Sequence, residues 1–173
     1  DITGNVDLDN SIWRDFKTYG TKAYSCADQG NEGLIVYDLS QLPDTVTVDT
    51  QITTFFTQSH NIYIDEGSGY LYTAGASGSG AKNVRILDLN VEPIQEVANV
   101  FISGGYIHDL HVVNDTAYCH SESELVIVDF SNPISPSTIG TLNSYTNSGY
   151  NHSGWRTEDG NHYVFCDESY GRR

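Results

Sequence analysis

Methionine is missing from all 173 residues, position 1 included. The chain is therefore not expected to begin at its translation start, and either a removed leader or an excised piece of a longer protein accounts for that. Cysteine is scarce. Cys26, Cys119 and Cys166 are too few for a disulfide scaffold, and an odd number leaves at least one free or paired outside the chain. No apolar run approaches the ~18 residues of a membrane span, which excludes a transmembrane helix. Positive charge is also short. Lys and Arg total 8 against 23 Asp and Glu, a net charge of −15, and a polyanion is repelled by nucleic acid and by anionic membrane surfaces. The Gly-x-Ser-x-Gly elbow, the phosphate loop and the His-Glu-x-x-His metalloprotease signature are all absent.

What is there is a hydrophobic fraction of 38% and 12 tyrosines, too much apolar surface for a disordered chain and a length suited to one domain. Lysines are confined to Lys17, Lys22 and Lys82. That scarcity, the acidic balance and the abundance of Tyr, Thr, Ser and Gly fit a secreted or cell-surface β-protein. Two glycosylation acceptors fit the same location, Asn114-Asp115-Thr116 and Asn151-His152-Ser153.

An internal repeat organises the chain. Leu34-Ile35-Val36-Tyr37-Asp38, Val84-Arg85-Ile86-Leu87-Asp88 and Leu125-Val126-Ile127-Val128-Asp129 are apolar runs closed by aspartate. Tyr24, Tyr72, Tyr118 and Tyr163 recur at intervals of 48, 46 and 45 residues. Arg14, His60, His108 and His152 recur at 46, 48 and 44. Three markers with one period give repeats at about 11–57, 58–103, 104–148 and 149–173, the last incomplete. Within a unit, short apolar stretches alternate with turn chemistry such as Asp65-Glu66-Gly67-Ser68-Gly69, and no sustained helical period is present. The expected fold is all-β. It consists of propeller blades of four antiparallel strands, about three and a half of them, in a single domain over residues 1–173. That falls short of a closed ring, so further chain or another copy is expected to complete it. Residues 1–10 read as a closing strand or a linker. Gly75 to Gly80 read as a surface loop.

Leu125-Val126-Ile127-Val128-Asp129-Phe130-Ser131-Asn132-Pro133 resembles the LVIVD repeat of bacterial and archaeal surface propellers. The wider series is similar to the choice-of-anchor B proteins. It comprises Ser11-Ile12-Trp13-Arg14-Asp15, Ser59-His60-Asn61, Tyr106-Ile107-His108-Asp109, and Tyr150-Asn151-His152-Ser153-Gly154-Trp155 with Thr157-Glu158-Asp159. The resemblance implies a secreted or surface-anchored propeller longer than this chain, and no defined activity.

His60, His108 and His152 share one repeat position and so recur on successive blades. At the start of the innermost strands they converge at a channel mouth, where neutral imidazoles can hold Zn²⁺ or another divalent ion. Asp15, Asn61 and Asp109 follow them and are candidates to orient the rings. Arg14, in the same slot of the first unit, suits an anionic group instead. The competing reading is that these polar residues only lock strand to strand. Asp38, Asp88 and Asp129 are expected to cap turns, with Ca²⁺ binding as the alternative. His111, three residues past His108, belongs on the opposite face. His120 and His162 read as ordinary polar positions. The cysteines read as small packing residues, with a Cys119–Cys166 bridge or three-thiolate metal ligation as alternatives. Trp13 and Trp155 read as inter-blade packing or, at a mouth, as a platform for sugars, which makes glycans candidate partners.

The function expected from these residues is a non-enzymatic extracellular module for binding or assembly, self-associating or completed by another protein. Two alternatives stand beside it. One is a metal-dependent hydrolase built on the histidines, and the other is a calcium-stabilised adhesion module.

Overall fold

The computed structural model describes residues 11–77 and 82–169. Residues 1–10, and with them the closing strand or linker expected there, lie outside the described residues, as do 78–80 of the glycine-rich loop. Every regular element among the described residues is a β-strand. The first sheet holds β1 (Arg14–Tyr19), β2 (Lys22–Ala27), β3 (Leu34–Asp38) and β4 (Thr47–Ile52). The second holds β5 (Asn61–Asp65), β6 (Tyr70–Ala74), β7 (Val84–Asp88) and β8 (Gln95–Val100). The third holds β9 (Asp109–Val113), β10 (Thr116–His120), β11 (Leu125–Asp129) and β12 (Ser137–Leu142). A last, two-stranded sheet pairs β13 (Asn151–Arg156) with β14 (Tyr163–Asp167). Each is an antiparallel meander in chain order, and together they form about three and a half propeller blades.

The second and third strands of the complete blades are mostly buried, and those of the second blade lie between two neighbours. Alternation then assigns each side chain to one junction. Leu71 and Leu87 point to the first blade and share a core with Tyr24, Leu34 and Val36. Tyr72 and Ile86, one residue along, point to the third blade and join Leu110, Val112 and Val126. Each such side chain contributes roughly 1.5–3 kcal/mol by leaving water. The outer strands β4 and β12 are mostly exposed.

The repeat extends to irregularities. The pairing of third and fourth strands slips between Val36 and Tyr37, between Ile86 and Leu87, and between Ile127 and Val128. These are one position of the repeat, and a bulge there adds twist to the outer edge of each blade. The aspartates closing the third strands cap turns as expected. Asp38, Asp88 and Asp129 each accept the backbone N–H two residues on, at 2.8, 2.9 and 2.8 Å. Those bonds hold the Asp38 and Asp129 carboxyls below the usual range.

The innermost strands β1, β5, β9 and β13 pack successively against one another. Side chains of one grip the backbone of the next. Asp15 accepts the Ile62 N–H at 3.0 Å, Asn61 donates to the His108 carbonyl at 3.3 Å, and His108 Nδ1 donates to the His152 carbonyl at 3.2 Å. The four strands run the same way along the channel, so their first residues gather at one mouth and their last at the other.

Candidate metal centre

Three histidines meet at the first mouth. The ring centroids of His60 and His108 are 4.2 Å apart and those of His108 and His152 4.5 Å. His60 and His108 directly precede β5 and β9, while His152 is the second residue of β13. Gly75 makes the close approach possible. It has φ +65°, and a side chain there would meet the Tyr106 ring and the His60 Cβ. The histidines line a cavity of about 370 Å³ with Trp13, Asp28, Tyr106, Glu122, Tyr150 and Glu168.

A hydrogen bond sets the His108 tautomer. His108 Nδ1 donates to a carbonyl, so in the neutral ring Nε2 carries the lone pair. His152 Nδ1 faces Ser153 Oγ at 3.0 Å, and its Nε2 lies 3.6 Å from Glu168 Oε2. One ligand atom from each of His108, His152 and Glu168 falls within 4.8 Å of the other two, the one such group among the described residues. Burial, reinforced by the neighbouring His60 and His152 imidazoles, pushes the His108 pKa down. The ring is thus held in the form that binds metal. Two imidazoles and one carboxylate suit zinc with an open position, or iron and its neighbours in the transition series. His60 is directed differently, with Nδ1 3.4 Å from Asp28 Oδ2. It stands beside the ligand group rather than within it.

Glu168 was not joined to the histidines in the sequence. A signal existed, because in an antiparallel hairpin the residue just past the second strand lies beside the start of the first. Asp28 and Glu168 both hold that place, following β2 and β14.

The other expected site residues are elsewhere. Arg14 forms a bidentate ion pair with buried Glu32, so it is not a free anion site. Asp15 and Asn61 bond the backbone of the next blade and not an imidazole, which corrects their assignment as ring-orienting groups. Asp109 is half-buried, accepts the Leu110 N–H at 2.8 Å, and has its pKa raised by burial. Trp155 sits at the far mouth against His111 (4.2 Å between centroids) and Tyr63 (5.9 Å). His111 thus points away from the His108 cluster, as the odd spacing requires.

Asn114 is exposed in the β9–β10 turn, with φ 49°. Asn151 is a correction. Its side chain is wholly buried and bonded to His120 and Tyr145, leaving no room for a glycan. His120 is a second correction. It is buried between the last two blades, with Nδ1 2.7 Å from Asn151 Oδ1 and Nε2 2.8 Å from the Tyr163 hydroxyl. The three cysteines are free thiols, and burial pushes Cys26 and Cys119 up to about 12.

Residues 96–144, spanning most of β8 through β12, match the family model of the LVIVD repeat. No curated protein matches the sequence. Among solved structures, a protein from Lactobacillus plantarum aligns with a TM-score of 0.65 at 14% identity, over 92% of this chain and 49% of that one. The chain thus spans about half the length of that structure. An endo-arabinase from Bacteroides thetaiotaomicron aligns with a TM-score of 0.46 at 16% identity, over 84% of this chain and 66% of that one.

Proposed function

We propose that this LVIVD-repeat propeller is an extracellular binding module whose channel mouth holds one divalent transition-metal ion on His108, His152 and Glu168. One observation carries the reading: donors from two separate blades converge within 4.8 Å, and the His108 Nδ1 hydrogen bond to a carbonyl leaves Nε2 of the neutral ring unprotonated. Three protein ligands leave a coordination position facing the cavity. Trp13, Tyr106 and Tyr150 wall that cavity, so a ligand atom from a bound partner can complete the metal sphere while its apolar part meets the rings. Location outside the cell is supported by the lysine-poor acidic composition. Calcium has less support, because Asp38, Asp88 and Asp129 each cap a turn of their own blade.

The test is metal analysis and calorimetric titration of chelator-stripped protein with Zn²⁺ and Co²⁺. One ion per chain is expected, with affinity falling about tenfold or more in His108→Ala and Glu168→Gln. No stoichiometric ion, or unchanged binding in His108→Ala, would overturn the reading.

A metal-dependent hydrolase is the second reading. The three-ligand set also suits water activation, and the Asp28–His60 pair at 3.4 Å stands beside it. Metal-dependent turnover of ester or glycoside substrates that is lost in His60→Ala would favour it over simple binding.

A further inference from the structure

We infer that Ser153 is a positioning residue for the metal at the mouth. It accepts the Nδ1 proton of His152 and turns its own hydroxyl proton to Cys166, which leaves His152 Nε2 free for the ion. The inference rests on the metal site proposed above and adds to it a residue that does not touch the ion.

His152 and Ser153 are neighbours in the chain, and on a regular strand neighbours point to opposite faces. Here their side chains meet. The pairing of β13 with β14 slips between Asn151 and Ser153, so His152 is the extra residue of a bulge. Bulges re-aim side chains and gather next to functional sites. The inner strands β1, β5 and β9 pair with their second strands without such a slip. At the bulge the His152 carbonyl accepts the His108 Nδ1 proton at 3.2 Å. The His152 ring lies with Nδ1 3.0 Å from Ser153 Oγ and Nε2 3.6 Å from Glu168 Oε2. Across the hairpin Ser153 is paired with Cys166, and its Oγ stands 3.2 Å from Cys166 Sγ.

The two ligating histidines differ in what holds them. The His108 partner is a carbonyl, which only accepts, so one neutral tautomer satisfies it. The His152 partner is a hydroxyl, which donates or accepts. Two arrangements therefore satisfy His152. In one, Ser153 donates to Nδ1 and Nε2–H faces the Glu168 carboxylate, so the ring offers no lone pair to an ion. In the other, Nδ1–H donates to Ser153 Oγ, the Ser153 O–H donates to Cys166 Sγ, and the Nε2 lone pair is free. An ion on His108, His152 and Glu168 selects the second. The ring stays neutral, exchanging its Nε2 proton for one on Nδ1 through the solvent, and Ser153 keeps its proton and turns. Outer partners of this kind fix the orientation of a ligating ring and raise its basicity.

The test compares calorimetric zinc binding with nitrogen NMR of the histidine rings in the parent chain, Ser153→Ala, Ser153→Thr and Cys166→Ala. In the zinc-loaded parent, His152 should carry its proton on Nδ1, shielded from exchange with water. Ser153→Ala should weaken zinc about tenfold or more and open that proton to exchange. Ser153→Thr restores the hydroxyl on a strand that suits β-branched residues, and should recover both. Cys166→Ala should weaken zinc less than Ser153→Ala, because water at this exposed position can accept the Ser153 proton. Equal zinc affinity in the parent and Ser153→Ala overturns the role, as does a zinc-loaded parent with the His152 proton on Nε2. A loss shared equally by Ser153→Ala and Ser153→Thr overturns it too, since the hydroxyl would then not matter. A larger loss in Cys166→Ala than in Ser153→Ala would mean that the thiol itself ligates the ion, against the proposal. A parent chain that binds no zinc overturns the metal site, and this role with it.

Discussion

His120 shows at the scale of a single residue how burial alters a side chain's chemistry. Its ring bridges the last two blades between Asn151 and Tyr163, and Asn151 passes the chain on through Tyr145 to Asp167. His120→Phe keeps the ring but strands the Asn151 carbonyl and the Tyr163 hydroxyl, so a loss of about 2–4 kcal/mol in denaturant unfolding is expected. The same burial pushes His120 down to about 4 from its ordinary 6.5, and it does the same to His111, whose Nδ1 is buried without a partner. Between those pH values the unfolded chain binds protons that the folded chain refuses. Stability should therefore fall as pH drops from 6.5 to about 4 and level off below, a dependence weakened in His120→Phe. In the sequence His120 is one more polar residue beside a strand, because nothing local says that a later blade will cover it. The same ignorance made Asn151 a glycosylation acceptor.

At the scale of elements, the strands were legible because three blades repeat one pattern. The apolar runs closed by aspartate are β3, β7 and β11, and Asp65-Glu66-Gly67-Ser68-Gly69 is the turn between β5 and β6. Register was less legible. The tyrosine spacing aligns Tyr163 with Tyr24, Tyr72 and Tyr118, but pairing puts Val164 in that slot. Tyr163 faces back and stacks on Tyr118 at 4.0 Å. A one-residue slip exchanges the faces of a strand, and here it turns a core aromatic into a junction residue. Gly33 shows what a blade demands where its third strand begins. It has φ +66°, and a Cβ would strike the Ile52 and Phe56 carbonyls. Gly33→Ala combines a left-handed backbone with a backbone clash, so a loss of about 2 kcal/mol or more is expected in thermal or denaturant unfolding.

For the whole molecule the net charge matters most. Fifteen excess negative charges repel one another across a small fold, and counter-ions reduce that repulsion. Raising ionic strength from about 0.01 M to 0.15 M should raise the melting temperature. A melting temperature that fell with salt would instead mean that attractive pairs such as Arg14–Glu32 and Lys22 with Glu92 and Asp49 dominate the electrostatics.

The sequence by itself determined the class of fold, the blade period, the turn-capping aspartates and the convergence of His60, His108 and His152. All of these follow from local chemistry repeated at a fixed interval. Only the tertiary structure decided which carboxylate joins the histidines, that Arg14 is taken by Glu32, and that Asp15 and Asn61 serve the backbone of the next blade. Those choices depend on contacts between residues tens of positions apart. Strand pairing and blade packing bring such residues together, and a period read along the chain records where each one stands but not which way it faces.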